Sequence, residues 1–412
     1  MQERLERYAD LAIGVGLNLQ KGQHLMIRAP IEAVELTRAL AASAYDAGCP
    51  YVDVSYSDDE LQLVRFRHAP ADSFEEFPAW RVKGMIERAE QGAAFLTVAG
   101  GNPDLLKGQD PERVATTMRV ASEQSKPFSR GYITNMRVSW CVISAAVAPW
   151  AERVFPEAPE QERVDRLWEA IFRACRVDQA DPVEAWRRHI DALESRREFL
   201  NERAYTALHY AAPGTDLTVG LPGGHVWKGG IDYNAEGTRF VPNIPTEEVF
   251  TLPHSRRVDG TVTASKPLNY GGRLIGNFSL TFEQGRVVAV EAESGAEVLE
   301  KLIATDDGAA RLGEIALVPH RSPISQLGRL FYNTLFDENA ASHAALGQAY
   351  TVCLTGAEAM SEQELAAAGA NASVTHVDFM IGSDRMDIDG VLADGSTEPV
   401  MRAGEWAIAD QA

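Results

Sequence analysis

The sequence predicts an α/β N-terminal domain with a mostly parallel sheet, followed by a β-rich α+β C-terminal domain. Three observations carry that expectation. Short apolar runs alternate with helix-patterned segments as far as Ala146. A charged, helix-patterned stretch then runs from Ala158 to about Arg203. After Ala212 the chain becomes rich in Gly, Thr and Val, with short apolar runs separated by turns. A length of 412 residues suits two domains, and the boundary is expected near residue 195, giving domains 1–195 and 196–412.

In the first domain, His24-Leu25-Met26-Ile27-Arg28 reads as a strand, and Ile31 to Ala47 as an amphipathic helix ending at Gly48. Tyr51 to Tyr56, Ala94 to Ala99 and Ser139 to Ala146 supply further strands. Strands separated by helices point to parallel pairing, because a parallel connection needs a crossover. Leu167, Ile171 and Cys175 have helical spacing, and Pro182 is placed to open a helix through Trp186, Ile190 and Leu193. In the second domain, Leu217-Thr218-Val219, His225-Val226-Trp227, Thr261 to Ala264, Leu274 to Phe278 and Arg286 to Val290 read as largely antiparallel strands. Glu297 to Ala304 reads as a helix.

Composition narrows the partners. A net charge of −20 opposes nucleic acid and anionic membrane surfaces, which call for a basic face. It is compatible with cations and with substrates carrying a free amine. Cys49, Cys141, Cys175 and Cys353 show no CxxC spacing, as expected of reduced, buried thiols. The charged start Met1-Gln2-Glu3-Arg4 is not a secretory signal, and the apolar stretch Val138 to Trp150 is too short to span a bilayer. A cytoplasmic location is expected.

Nucleotide and nucleophile motifs are missing. Gly14-Val15-Gly16 precedes a strand, the reverse of a dinucleotide fingerprint, so it and Gly223-Gly224 read as turns. No GxSxG elbow occurs. The chemistry-bearing residues lie in the C-terminal half. His376-Val377-Asp378 falls in a strand-like run, Thr375 to Gly382, and residues two apart share a strand face. An imidazole and a carboxylate side by side can share a metal ion. Glu314 is a lone acid among Leu312, Ile315 and Leu317, and a buried carboxylate wants a cation. His343 follows the polar segment Phe336-Asp337-Glu338-Asn339. Glu247 and Glu248 lie beside a turn bounded by Pro245.

Together Glu248, Glu314, His343, His376 and Asp378 form a mixed carboxylate–imidazole ligand set. Two divalent ions would overbalance its three carboxylates by one positive charge, which a bridging hydroxide neutralises. That balance suits two ions about 3.5–4 Å apart sharing an activated water.

The sequence resembles the aminopeptidase T/aminopeptidase S family of two-metal exopeptidases over essentially its whole length. The densest stretches are Pro242 to Thr251, Leu312-Gly313-Glu314, Asn333 to Ala340 with His343, and Thr375 to Phe379. Cys175 to Asp178 and Asp181 to Trp186 are also similar to the family. The resemblance implies that Glu248, Glu314, His343, His376 and Asp378 hold two divalent ions, whether zinc, cobalt, manganese or magnesium. One-residue register leaves Glu247 as a competitor of Glu248. Tyr350 matches the family's active-site tyrosine, a donor to the developing oxyanion, and Glu314 is the expected proton shuttle.

The resemblance implies a homodimeric metallo-aminopeptidase acting on peptides with a free N-terminus, and the composition a cytoplasmic one. One alternative belongs to another reaction class. His343, His376 and Asp378 also make the two-histidine, one-carboxylate triad of a mononuclear iron(II) ring-cleaving dioxygenase. Such a site has no need of Glu248 and Glu314, so metal stoichiometry separates the two.

Overall fold

The computed structural model describes residues 1–270 and 273–408. In the N-terminal part, β1 (Leu25–Pro30), β2 (Val52–Ser57), β3 (Ala94–Ala99) and β4 (Trp140–Ser144) form a sheet in the order β2-β1-β3-β4. Every pairing in it is parallel, with Leu25 opposite both Val52 and Ala94. Helices Val34–Asp46, Ala79–Glu90 and Pro111–Phe128 lie in the crossovers, as parallel connections require. Phe95 of β3 packs with Val82, Ala89, Phe128 and Tyr132 in one apolar cluster.

Gly14 and Gly16 depart from the expected turn. They sit in a π-type helical segment, Ala12–Gly16, that continues the helix Gln2–Leu11. A Cβ at Gly16 would come 2.8 Å from the Cys141 sulfur, so close packing accounts for this glycine. The expected charged helices are Glu160–Ala174 and Pro182–Arg203. Proline at the first helical position of the second loses no hydrogen bond there.

The chain divides into two units. One comprises Met1–Arg188 with Ile231–Pro245, and the other begins with His189–Gly230 and continues from Thr246. In the second unit, strands Ala207–Ala212, Thr215–Gly220 and Val258–Thr263 join the long hairpin Arg273–Glu283 and Arg286–Ser294 in one antiparallel sheet. The helix Ala296–Ile303 follows that hairpin. His225-Val226-Trp227, expected as a strand, makes only an isolated bridge from His225 to Leu354. The side chain of Asn201 takes the place of a partner strand. It accepts from the Trp227 N–H at 2.8 Å and donates to the Trp227 carbonyl at 3.1 Å.

A second antiparallel sheet of this unit consists of β5 (Val249–Thr251), β6 (Leu312–Leu317), β7 (His343–Gly347) and β8 (His376–Met380), in the order β8-β7-β6-β5. Its central strands β6 and β7 are buried along their whole length. All four cysteines are buried and free of disulfides. Among the described residues, no helix is long and apolar enough to cross a membrane.

Candidate metal centre

Register brings the acid and imidazole side chains to one face of the second sheet. Glu314 of β6 is opposite Ala345 of β7, which is opposite Asp378 of β8. His343 is opposite Ala316, and Gly347 is opposite His376. Directly paired residues share a face, as do residues two apart along a strand. Glu314, His343, His376 and Asp378 therefore project to the same side. Glu248 immediately precedes β5, two residues before Phe250, which is in register with Ala316. Ala316, Ala345 and Gly347 occupy the positions between the ligand-type residues, so little side-chain volume fills the floor of the site.

The side chains converge in two overlapping triplets. Glu248, Glu314 and His343 bring ligand atoms within 4.8 Å of one another, and so do Glu314, His376 and Asp378. Glu314 belongs to both. His343 Nε2 lies 3.3 Å from Glu248 Oε2, and His376 Nε2 lies 3.2 Å from Glu314 Oε2 and 3.5 Å from Asp378 Oδ1.

The imidazoles are oriented by backbone carbonyls. His343 Nδ1 lies 3.1 Å from the Ala341 oxygen, and His376 Nδ1 lies 2.7 Å from the Gln348 oxygen. A carbonyl only accepts, so each Nδ1 carries the proton and, in a neutral ring, each Nε2 turns a lone pair toward carboxylate oxygens. Lone pair facing carboxylate repels unless a cation lies between them. Glu248 Oε2 is also buried with no hydrogen-bond partner. The donor set thus fits divalent metal ions, and the Nδ1 contacts are the usual outer support of a metal-binding histidine.

The electrostatics agree. Burial pushes the Glu248 and Glu314 carboxyls up to about 7, and neighbouring acids add to the effect. Burial alone lowers His376, yet Asp378 and Glu314 beside it carry it up to about 10. Burial raises Asp378 too, but His376 and His343 outweigh that and hold it below its ordinary range. An acid cluster this crowded retains protons until a cation replaces them.

Two further residues belong to the setting. Tyr350 is 48% exposed, its ring centroid 4.7 Å from that of His376, and burial of its hydroxyl with the nearby Glu314 charge keeps the phenol protonated. Glu338, in the turn Glu338–Ala340, has its carboxyl raised well above the ordinary range by burial and by Glu248, Asp378 and Glu314. Sequence reasoning assigned Glu338 no role, because an acid in a polar segment carries no periodic signal; its place inside the Asn333 to Ala340 stretch that resembles the family was the signal that could have found it. Glu247, the competitor of Glu248, is buried elsewhere, with Oε2 3.7 Å from His189 Nε2.

Comparison with known proteins agrees with this arrangement. The family model described as thermophilic metalloprotease (M29) matches residues 1–406. The chain is 49% identical over 405 residues to aminopeptidase AmpS of Bacillus subtilis, covering 98% of each. It is 50% identical over 406 residues to aminopeptidase 2 of Geobacillus stearothermophilus, again covering 98% of each. The solved structure of wild-type AmpT from Thermus thermophilus superposes with a TM-score of 0.92 at 47% identity, over 98% of this chain and 99% of that one. A match over nearly the whole length, on a sheet whose one face gathers these acids and imidazoles, leaves one conclusion: the chain belongs to the thermophilic metalloprotease family, M29.

Proposed function

We propose that Glu248, Glu314, His343, His376 and Asp378 would hold two divalent ions, which would supply the activated water that releases N-terminal residues from peptides. The chain is a hydrolase, a metallo-aminopeptidase, and as a member of its family it uses divalent metal ions. The observation that carries the two-ion reading is the presence of Glu314 in both triplets. A fourth acid, Glu338, lines the same cavity as His376 and Asp378. Four carboxylates balance two divalent ions, whereas one ion would leave two negative charges buried.

When bound, such ions polarise a scissile carbonyl and make water nucleophilic near neutral pH. The protein's own residues supply the rest. The acid-rich cluster attracts a protonated α-amine. Tyr350, kept protonated, donates a hydrogen bond to the oxygen on which negative charge develops. Glu314 belongs to both triplets and would be engaged as a ligand, so proton transfer from water to the leaving amine would fall to Glu338 in place of the shuttle role expected of Glu314. Catalysis is assigned to residues 196–412, in a cytoplasmic homodimer, with zinc, cobalt, manganese or magnesium as the ions.

The one-iron dioxygenase reading needs His343 to share an ion with His376 and Asp378. His343 instead groups with Glu248 and Glu314, and the family is one of metalloproteases. The test is metal analysis joined to an aminoacyl-anilide assay after chelation and re-supply of each ion. Two ions per chain at full turnover are expected, and full turnover with one ion overturns the two-ion reading. Unchanged turnover in metal-supplied His376→Ala or Asp378→Ala would sink the ligand assignment.

A further inference from the structure

We infer that Tyr332 selects the substrate's first side chain, walling with Leu268 and Leu330 a cavity that receives a bulky apolar N-terminal residue, and that Asp337 is the positioning residue that holds Tyr332 in place. This rests on the aminopeptidase reading and adds a substrate class to it. The cavity, about 440 Å³, lies within the second unit. Its lining includes Glu338, Tyr350, His376 and Asp378, so it adjoins the proposed centre. Leu268, Leu330 and Tyr332, each only half-buried, line the same cavity. A cavity lined both by polar groups of a reacting centre and by apolar side chains has the composition of a side-chain subsite.

Tyr332 has φ +55°, in the left-handed region that an aromatic residue seldom enters. Such backbone persists only where its surroundings over-determine it, and it is concentrated at ligand-contacting positions. The surroundings here are explicit. The Asp337 carboxylate accepts from the Phe331 N–H at 2.6 Å and from the Asn333 N–H at 3.0 Å, bracketing Tyr332 on both sides. Phe331 is fully buried, its ring centroid 4.9 Å from that of Phe336. The segment is thus fixed in a strained conformation while Tyr332 faces the cavity. An aminopeptidase binds no residue before the first, so apolar lining beside the centre suits the side chain of that residue.

The experiment measures kcat/KM for leucyl-, phenylalanyl-, alanyl- and glycyl-anilides, and for dipeptides varied at the first or second residue, with metal-loaded enzyme. The wild type is expected to favour leucyl and phenylalanyl over glycyl substrates. Tyr332→Asn, which tolerates the left-handed backbone, and Leu330→Ala should each cut that preference by about tenfold or more, the scale of small changes in an apolar pocket. Tyr332→Phe should retain it. Asp337→Asn should lower the leucyl value more than the glycyl value, whereas a merely structural role lowers all substrates alike. An unchanged preference in both Tyr332→Asn and Leu330→Ala overturns the inference, as does a change confined to the second residue of dipeptides. Hydrolysis of none of the anilides by metal-loaded wild type overturns the aminopeptidase reading and the inference with it.

Discussion

At the scale of single residues, the sharpest question is why Glu248 and not its neighbour joins the cluster. A one-residue shift in an extended segment turns a side chain to the opposite face, and sequence alone does not fix that register. Glu248 lies with Glu314 and His343, while Glu247 lies against His189 and gives its backbone N–H to Asn339 Oδ1 at 2.8 Å. Glu248→Gln is expected to lower metal content and turnover together. Glu247→Gln should keep both ions and cost about 1–3 kcal/mol of stability, because a buried charged hydrogen-bonding group is lost. Metal analysis and urea unfolding of the two variants check this, and metal loss in Glu247→Gln would reverse the assignment. His376 and Asp378 were legible from their i, i+2 spacing, and Glu314 from its isolation among apolar neighbours. Glu338 was not, because it projects from a turn whose geometry no strand or helix period encodes.

At the scale of elements, the floor of the site depends on β7 running close to the segment that leads into β8. Gly347 has φ +111°, and a Cβ there would press on the Thr375 carbonyl oxygen. Gly347→Ala is expected to cost about 1–3 kcal/mol from the backbone conformation alone and to shift His376; unaltered stability and metal content would contradict it. The same segment is stapled by Asp306, which accepts from the Val374 N–H at 2.8 Å and the Ser373 hydroxyl at 2.9 Å. The Val374 bond, with those from Ser373 and Ala309, holds its carboxyl below the usual range. A lowered folded pKa stabilises above the unfolded value near 4, and that contribution is lost as pH falls through the folded value. Asp306→Asn should therefore be less stable than wild type at pH 7 and converge with it only as pH falls below the lowered folded value of Asp306. A gap that stays constant with pH would refute the staple. Elements that are short apolar runs bounded by turn residues, such as β3, were legible to the residue. His225-Val226-Trp227 was not, because the Asn201 side chain from a distant helix meets the backbone groups that a strand partner would otherwise take.

At the scale of the whole molecule, the parallel sheet and the ligand sheet fall in different units, and all five ligand-type residues belong to the second. Alternating strand and helix patterns made the first unit's class legible, since crossover length alone separates parallel from antiparallel pairing. The return of Ile231–Pro245 to the first unit was not legible, because no local pattern marks which core a short segment joins. This division bears on how metal and fold are linked. An ion that binds only the folded state stabilises what it binds, by about 2.7 kcal/mol when present at a hundred times its dissociation constant. Without ions, the buried carboxylates near Glu314 repel one another across a sheet whose central strands are wholly buried. Chelation should therefore speed amide hydrogen exchange in β6, β7 and β8, and re-supplied metal should slow it again. Exchange in β1 and β3 of the parallel sheet should change little. Equal loss of protection in both sheets would mean that the ions stabilise the chain as one cooperative body, and no loss in either would mean that the acid cluster is stable without them.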